Sequence, residues 1–248
     1  MKSGMAAKLA RDEQAGNHPY IRPKDAATLL ILDRDNTGEV KVLMGRRHHR
    51  HAFMPGKFVF PGGRVDRTDS RIKGVLPYHP LVKARLLKDL KSVKSEARVS
   101  AFALAAIRET YEEAGIFVGR QADAQAPRLG PGFEAFADRG IAPDLGPLRM
   151  VARAITPPRR PRRFDTRFFA VWADAIADRL PEGHGPSGEL EDCVWPTLDD
   201  ARHMELPLIT KTILGDLEQR LEKDPDLSPE TAVPYYYFRK GEFMRDVI

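Results

Sequence analysis

The chain has 248 residues, 42% of them hydrophobic, enough to bury a real core in one large domain or a domain with appendages. No run of about 18 consecutive apolar residues occurs, which excludes a transmembrane helix, and the single cysteine, Cys193, excludes an internal disulfide and suits a reducing compartment. A net charge of +5 and a pI near 9.3 favour an anionic partner, nucleic acid or a polyphosphate metabolite; the absence of a paired-cysteine zinc pattern or a basic-aromatic RNA-binding signature weighs against nucleic acid.

In chain order, residues 1–23 read as an irregular polar arm and 24–248 as one domain. Met1 to Gln14 has no apolar signal core, and the final Arg245-Asp246-Val247-Ile248 is not a Ser-Lys-Leu address, so the expected location is cytoplasmic. Ala26 to Leu32 is an apolar strand, Asp35-Asn36-Thr37-Gly38 a turn, and Val40 to Gly45 the return strand of a hairpin. Arg46 to His51 reads as a basic loop. Phe58 to Phe60 is a strand running into Pro61-Gly62-Gly63, where paired glycines let another group approach the backbone closely. Leu81 to Val93 has the spacing of an amphipathic helix whose basic face carries Lys83, Arg85, Lys88, Lys91 and Lys94. That face is either simply solvated or a rim that attracts a phosphorylated substrate.

Ala101 to Ala114 is a second helix, stopped by Gly115 and followed by the apolar Ile116-Phe117-Val118. The stretch from Ala122 to Pro147 is rich in Gly, Pro and Ala, with a short helix over Phe133 to Asp138. Strands over Leu148 to Thr156 and Phe164 to Ala173 flank a proline-arginine loop. Pro181 to Gly188 is a loop and Asp192 to Trp195 a short strand. Thr197 caps a helix reaching Glu205, and another helix covers Leu208 to Glu222. Tyr235-Tyr236-Tyr237-Phe238 is expected as a strand on a sheet edge, and Trp172 and Trp195 as core residues.

The chemistry concentrates in Arg108-Glu109-Thr110-Tyr111-Glu112-Glu113. Glu109, Glu112 and Glu113 stand at i, i+3 and i+4, on one helix face. Mg²⁺ is held by such carboxylate oxygens together with retained waters and substrate phosphates. Like charges on an exposed helix cost only about 0.2–0.5 kcal/mol, so energetics alone also permits a solvated face. The flanking sequence decides between the two.

Gly63, followed by Arg108-Glu109-x-x-Glu112-Glu113-x-Gly115-Ile116, resembles the box of the Nudix hydrolases, G-x5-E-x7-R-E-U-x-E-E-x-G-U, in which U is bulky and aliphatic. Thr110 occupies a position that is usually aliphatic. A long insertion, at about 67–98, interrupts the box. For its early glutamate, Asp69 has the correct offset from Gly63 and Glu96 lies beside the helix; both stay open. The interrupted box resembles the peroxisomal coenzyme A diphosphatase branch. So do Arg46-Arg47 leading to Phe53-Met54-Pro55-Gly56 and Val59-Phe60-Pro61-Gly62-Gly63, Thr156-Pro157 leading to Arg163-Phe164-Asp165-Thr166-Arg167-Phe168-Phe169, and Glu189 leading to Trp195. The resemblance covers roughly residues 24–220.

The resemblance implies an α/β (α+β) fold, a Nudix-type α/β/α sandwich around a mixed sheet, with a helical insertion and C-terminal helices and tail at 197–248. It implies Mg²⁺- or Mn²⁺-dependent hydrolysis of a diphosphate in a nucleoside derivative. The substrate would be coenzyme A or acyl-coenzyme A, with ADP-ribose, nucleotide sugars and dinucleotides as alternatives; a nucleotide-sensing module without catalysis is a third reading. By motif position Glu109, Glu112 and Glu113 bind metal, joined by the Gly63 carbonyl, while Arg108 orients a carboxylate. The general base is a box glutamate or Glu189, with Glu191 nearby. Arg46, Arg47 and Arg163, with Arg159, Arg160 and Arg162, are candidates for phosphate binding beside Gly62 and Gly63. His48, His49 and His51 have metal-tract composition, but the arginines among them repel cations. The partner is then a small phosphorylated molecule rather than a membrane, and, since family members are often dimeric, a second copy of the chain.

Overall fold

A computed structural model describes residues 18–50, 55–90, 95–122 and 129–248. Most of the expected N-terminal arm, together with His51, Phe53, Met54, Lys91, Val93 and Lys94, lies outside the described residues. The N-terminal half contains β1 (Lys24–Arg34), β2 (Val40–Val42), β3 (Met44–Arg47), β4 (Phe58–Val59), β5 (Gly62–Arg64), α1 (Pro80–Asp89) and α2 (Glu96–Ala114). There follow β6 (Ile116–Val118), β7 (Arg120–Gln121), α3 (Glu134–Asp138), β8 (Ile141–Ala142), β9 (Arg149–Ile155) and β10 (Phe164–Trp172). The chain ends with β11 (Ile176–Arg179), β12 (Leu190–Val194), α4 (Leu198–His203), α5 (Leu208–Leu221), β13 (Pro234–Arg239) and β14 (Glu242–Val247).

The main sheet has the order β14-β13-β9-β10-β1-β2, with β5 also on β1. It is mixed: β1 runs parallel to β10, from Lys24 opposite Phe164 to Leu32 opposite Trp172, and β9 and β10 form an antiparallel pair. Side chains alternate across a strand, and β1 uses both faces. Ala27, Leu29 and Ile31 enter one core with Phe102, Leu104 and Ala105 of α2 and Val82 and Leu86 of α1. Leu30 and Leu32 enter the opposite core with Ile213, Leu214 and Leu217 of α5. Helices therefore cover both faces, as the sandwich expectation requires. A small sheet in the order β12-β3-β4 flanks the main one.

Three local expectations are corrected. Arg46 and Arg47 lie in β3 rather than in a basic loop, because β3 is held between β12 and β4. Tyr235 to Phe238 sit inside the sheet, covered on the outer side by β14, whose charged, mostly exposed sequence hides its strand character. Trp172 and Trp195 are half-buried at the margins of the cores. Each carries a guanidinium over its ring, Arg34 at 4.2 Å and Arg179 at 5.4 Å.

The insertion is part of the domain's packing. Tyr78, Val82, Leu86 and Leu90 join the same core as α2. Two residues of its basic face are engaged with protein: Lys83 pairs with Glu96 at 2.5 Å, and Arg85 donates to the carbonyls of Pro229 and Glu230.

Candidate active site

The helix α2 begins earlier than its apolar pattern suggests. Ser95 caps it by accepting the Arg98 N–H at 3.2 Å, and the acidic Glu96 suits the first turn. It ends at Gly115, whose φ of 70° lets its N–H reach the Tyr111 carbonyl at 2.9 Å. From Val99 to Ile107 nearly every side chain is buried, which fixes the rotation of the helix and so the aim of its last two turns. Thr110 keeps its place in this apolar setting because its hydroxyl donates to the Ala106 carbonyl at 2.7 Å.

Arg108 is the hub of the acidic turns. Its Nη1 donates to Glu109 Oε1 and to Glu112 Oε2, each at 2.9 Å. Its other face grips Asp69, Nε to Oδ1 at 3.0 Å and Nη2 to Oδ2 at 3.2 Å, and Nη2 also donates to the Arg64 carbonyl. Burial alone would lower the basicity of Arg108, but the Asp69 hydrogen bonds and the charges of Glu109, Asp69 and Glu112 outweigh it and raise it. Asp69 is fully buried and also accepts the Asp66 N–H at 2.7 Å. Glu96 instead pairs with Lys83 and is exposed. Of the two candidates for the early acidic position, Asp69 is the one that meets the arginine.

The two glycines face this cluster as the strand β5. Gly62 pairs with Thr28 and Gly63 with Ala27 of β1, so the expected glycine loop is a paired strand. The Gly62 N–H donates to Glu113 Oε2 at 2.9 Å. A Cβ at Gly63 would sit 2.5 Å from Glu109 Cδ, so only glycine admits that carboxylate against the strand. The box thus closes in space across its insertion.

The far side of the site is a loop that sequence inspection does not connect to the helix. The last carbonyls of a helix have no intrahelical partner. Here Gly185 N–H donates to the Glu113 carbonyl at 3.1 Å and Ser187 N–H to the Glu112 carbonyl at 2.8 Å. The loop leads to Glu189, whose carboxylate lies 3.5 Å from Arg47 Nη1 and is 41% exposed. In the sequence, the Gly-Pro-Ser-Gly run at 185–188 signals only a turn.

Electrostatics mark the cluster. Burial lifts Glu109 to about 7 against the pull of Arg108, with the charges of Glu112 and Glu189 adding to the rise. Burial lifts Glu113 to about 8, opposed by the Gly62 N–H and by Arg47 and reinforced by Glu109 and Glu189. Glu112 also moves up, chiefly by burial. Crowded, dry carboxylates shifted upward at one place are typical of sites that handle protons or cations.

Among the described residues no three acidic, His or Cys side chains stand in a ready metal cage, since Arg108 holds Glu109 and Glu112 and Gly62 holds Glu113. The donors nevertheless fit a hard cation. Mg²⁺ keeps several waters and takes one or two carboxylates plus substrate phosphates, so a complete protein cage is not required. Glu109, Glu112 and Glu113 would hold such an ion, with the backbone of Gly63 against Glu109.

The remaining sequence candidates divide. Arg47 and Glu189 join the site. Arg46 pairs with Asp192. Arg163 is spent on structure: its Nε donates to the Thr156 carbonyl at 3.1 Å and its Nη1 to the Ile21 carbonyl at 2.7 Å. His48 pairs with Glu191 at 3.2 Å.

No family model matches the chain. The acyl-coenzyme A diphosphatase NUDT19 of Xenopus laevis is 33% identical over 120 residues, which is 42% of this chain and 31% of that protein. A Caenorhabditis elegans protein named "Putative nudix hydrolase 7" is 27% identical over 166 residues, 61% of this chain and 45% of that one. The chain therefore spans less than half the length of either curated relative. The crystal structure of a NUDIX hydrolase from Alicyclobacillus acidocaldarius superposes with a TM-score of 0.60 at 27% identity, covering 78% of this chain and 90% of that one. With Gly63, Asp69 and the acidic end of α2 brought together on this sandwich, the chain is similar to the Nudix hydrolases in its box, its fold and its sequence.

Proposed function

We propose that the chain hydrolyses the diphosphate bond of a nucleoside diphosphate derivative with the help of Mg²⁺ or Mn²⁺. The substrate we favour is coenzyme A or an acyl-coenzyme A, cleaved to 4′-phosphopantetheine (or its acyl form) and adenosine 3′,5′-bisphosphate. The observation that carries the reaction class is the convergence of Glu109 and Glu113 on Gly63 and Gly62 despite the long insertion between them. The likeness to NUDT19, named an acyl-coenzyme A diphosphatase, supports the substrate.

The physical difficulty is repulsion. Two unit charges about 4 Å apart repel by roughly 4 kcal/mol at an effective dielectric near 20, so a nucleophile does not reach a diphosphate unaided. A divalent cation, when bound, would neutralise that charge and make water a better nucleophile. Glu109, Glu112 and Glu113 would hold the cation, and Arg108, locked by Asp69, fixes the rotamers of Glu109 and Glu112. Glu189 stands on a loop pinned to the same helix end, where its carboxylate takes the proton of the attacking water. Arg47, between Glu189 and Glu113, steadies both.

The test is a substrate panel with Mg²⁺ and with Mn²⁺: coenzyme A, acetyl-coenzyme A, ADP-ribose and diadenosine tetraphosphate, with products separated by chromatography. Cleavage of ADP-ribose or the dinucleotide without cleavage of coenzyme A discards the substrate proposed. Nucleotide binding with no cleavage of any compound favours a sensing module. In Glu112→Gln and Glu113→Gln, loss of several kcal/mol of charge stabilisation reduces kcat by on the order of 100-fold or more. Unchanged rates in both variants remove the metal-site assignment.

A further inference from the structure

A cavity of about 680 Å³ opens beside the box, lined by Lys24, Asp25, Arg64, Asp66, Arg67 and Thr68. Its size is that of a small-molecule site, typically about 300–1,000 Å³. Its charges do not cancel. Asp25 is paired with Arg98 and with Arg167, and Asp66 accepts from Arg64 Nε and Nη2 at 3.2 and 2.9 Å. Both acids and Arg64 are thereby occupied. Lys24 and Arg67 remain, both exposed and without a side-chain partner among the described residues.

The wall that presents Arg67 and Thr68 is continuous with the catalytic cluster. The Arg64 carbonyl accepts from Arg108, the Asp66 N–H donates to Asp69, and Gly63, one residue earlier, lies against Glu109. A molecule whose diphosphate sits at the carboxylates can place a neighbouring group in this cavity. Two uncompensated cations and a hydroxyl suit a group with close to two negative charges and several acceptor oxygens, which describes a phosphate monoester. A ribose hydroxyl in the same place engages neither charge.

We infer that this cavity holds a second phosphate of the substrate, a monoester on its ribose separate from the diphosphate that is cleaved, with Lys24 and Arg67 as its charge partners and Thr68 as a hydroxyl donor. The inference rests on the diphosphatase reading and narrows it to substrates that carry three phosphates in this arrangement. The 3′-phosphate of coenzyme A and the 2′-phosphate of NADPH share that chemistry.

The experiment compares the wild type with a Lys24→Gln/Arg67→Gln double variant on two substrate pairs, coenzyme A with 3′-dephospho-coenzyme A and NADPH with NADH. Calorimetric titration with adenosine 3′,5′-bisphosphate and with AMP supplies a readout independent of turnover. Two charge-assisted contacts give the phosphorylated member of one pair an advantage of about tenfold or more in kcat/KM, expressed mainly in KM. In the double variant that ratio moves to near one, and the bisphosphate loses its advantage over AMP. The responding pair identifies the position of the phosphate. A wild type that cleaves both members of both pairs equally, or a preference that survives in the variant, overturns the inference. Failure to cleave any diphosphate refutes the proposed reaction, and the titration then still decides the phosphate site by itself.

Discussion

Arg108 and Asp69 meet through two hydrogen bonds, Nε to Oδ1 at 3.0 Å and Nη2 to Oδ2 at 3.2 Å, although 39 positions separate them in sequence. Both side chains are buried, Asp69 completely. Removing one partner of a buried pair costs about 3–5 kcal/mol, and here Arg108 keeps Glu109 and Glu112, so the loss falls at the low end of that range. Asp69→Ala therefore lowers the unfolding free energy in urea by that amount and frees Arg108 to pull Glu109 and Glu112 out of position, so kcat falls as well. Glu96→Ala, at the exposed pair with Lys83, changes stability by no more than about 1 kcal/mol. Equal effects of the two substitutions contradict the assignment of Asp69.

Glu109 and Glu113 set a pH dependence whose sign follows from their upward shifts. Unfolded, each titrates near 4.5; folded, they titrate near 7 and 8. Between those values the folded chain keeps protons that the unfolded chain has released. Their contribution to stability is thus complete below about 4.5 and is lost as the pH rises through 7 and 8. In EDTA, the wild type loses thermal stability between pH 5.5 and pH 8.5 relative to a Glu109→Gln/Glu113→Gln variant, whose curve is flatter. Divalent cations compete with the same protons, so Mn²⁺ binds more tightly at pH 8.5 than at pH 6. Calorimetry in both buffers checks the second point, and parallel stability curves for the two proteins count against the first.

Gly185 is the point at which the Glu189 loop rests on the catalytic helix. A Cβ there would fall inside the van der Waals contact of the Glu112 carbonyl oxygen, so Gly185→Ala pushes the loop off the helix end and breaks its N–H bond to Glu113. Glu189→Gln removes the proton acceptor without moving the loop. The second change lowers kcat by about 10²–10⁴-fold, the usual contribution of a general base. Its melting temperature stays near that of the wild type, because the side chain is 41% exposed. Gly185→Ala lowers both kcat and the melting temperature. Full activity in Glu189→Gln shifts the role of base to a glutamate of the box.

The parts visible in the sequence were those carried by local chemistry. The acidic triad reads from its i, i+3, i+4 spacing, the helix stop from Gly115, and the strands β1 and β10 from their apolar runs. The close approach at Gly63 follows from a paired glycine. Long-range choices were not visible: neither spacing nor composition separates Asp69 from Glu96, since only the folded chain brings one of them to Arg108. Arg163 and Lys83 carry the charge of phosphate ligands, yet backbone carbonyls and Glu96 occupy them. The docking of the Glu189 loop depends on orphan carbonyls at a helix end, which every helix possesses and no motif advertises.

The insertion is latched to the sheet by charge. Asp89, the last residue of α1, pairs with Arg153 on β9 and lies 3.5 Å from Arg167 on β10, and both arginines are almost wholly buried. Asp165 takes the other side of Arg153 at 2.7 and 2.6 Å. The guanidiniums stack on rings, Arg153 over Tyr235 at 4.5 Å and Arg167 over Phe102 at 4.2 Å. Phe102 belongs to α2, so the latch connects the insertion to the helix that carries the carboxylates. Asp89→Ala leaves two buried cations short of one counter-charge, a loss of about 3–5 kcal/mol. Because Asp89 is the contribution of α1 to this network, the amides of residues 81–89 exchange faster in the variant than those of β1. Lys88→Ala, one residue away but exposed and unpaired among the described residues, stays within about 0.5 kcal/mol of the wild type. Uniform acceleration of exchange across the sheet in Asp89→Ala would mean that the insertion does not open as a separate unit and that the pair stabilises the domain globally.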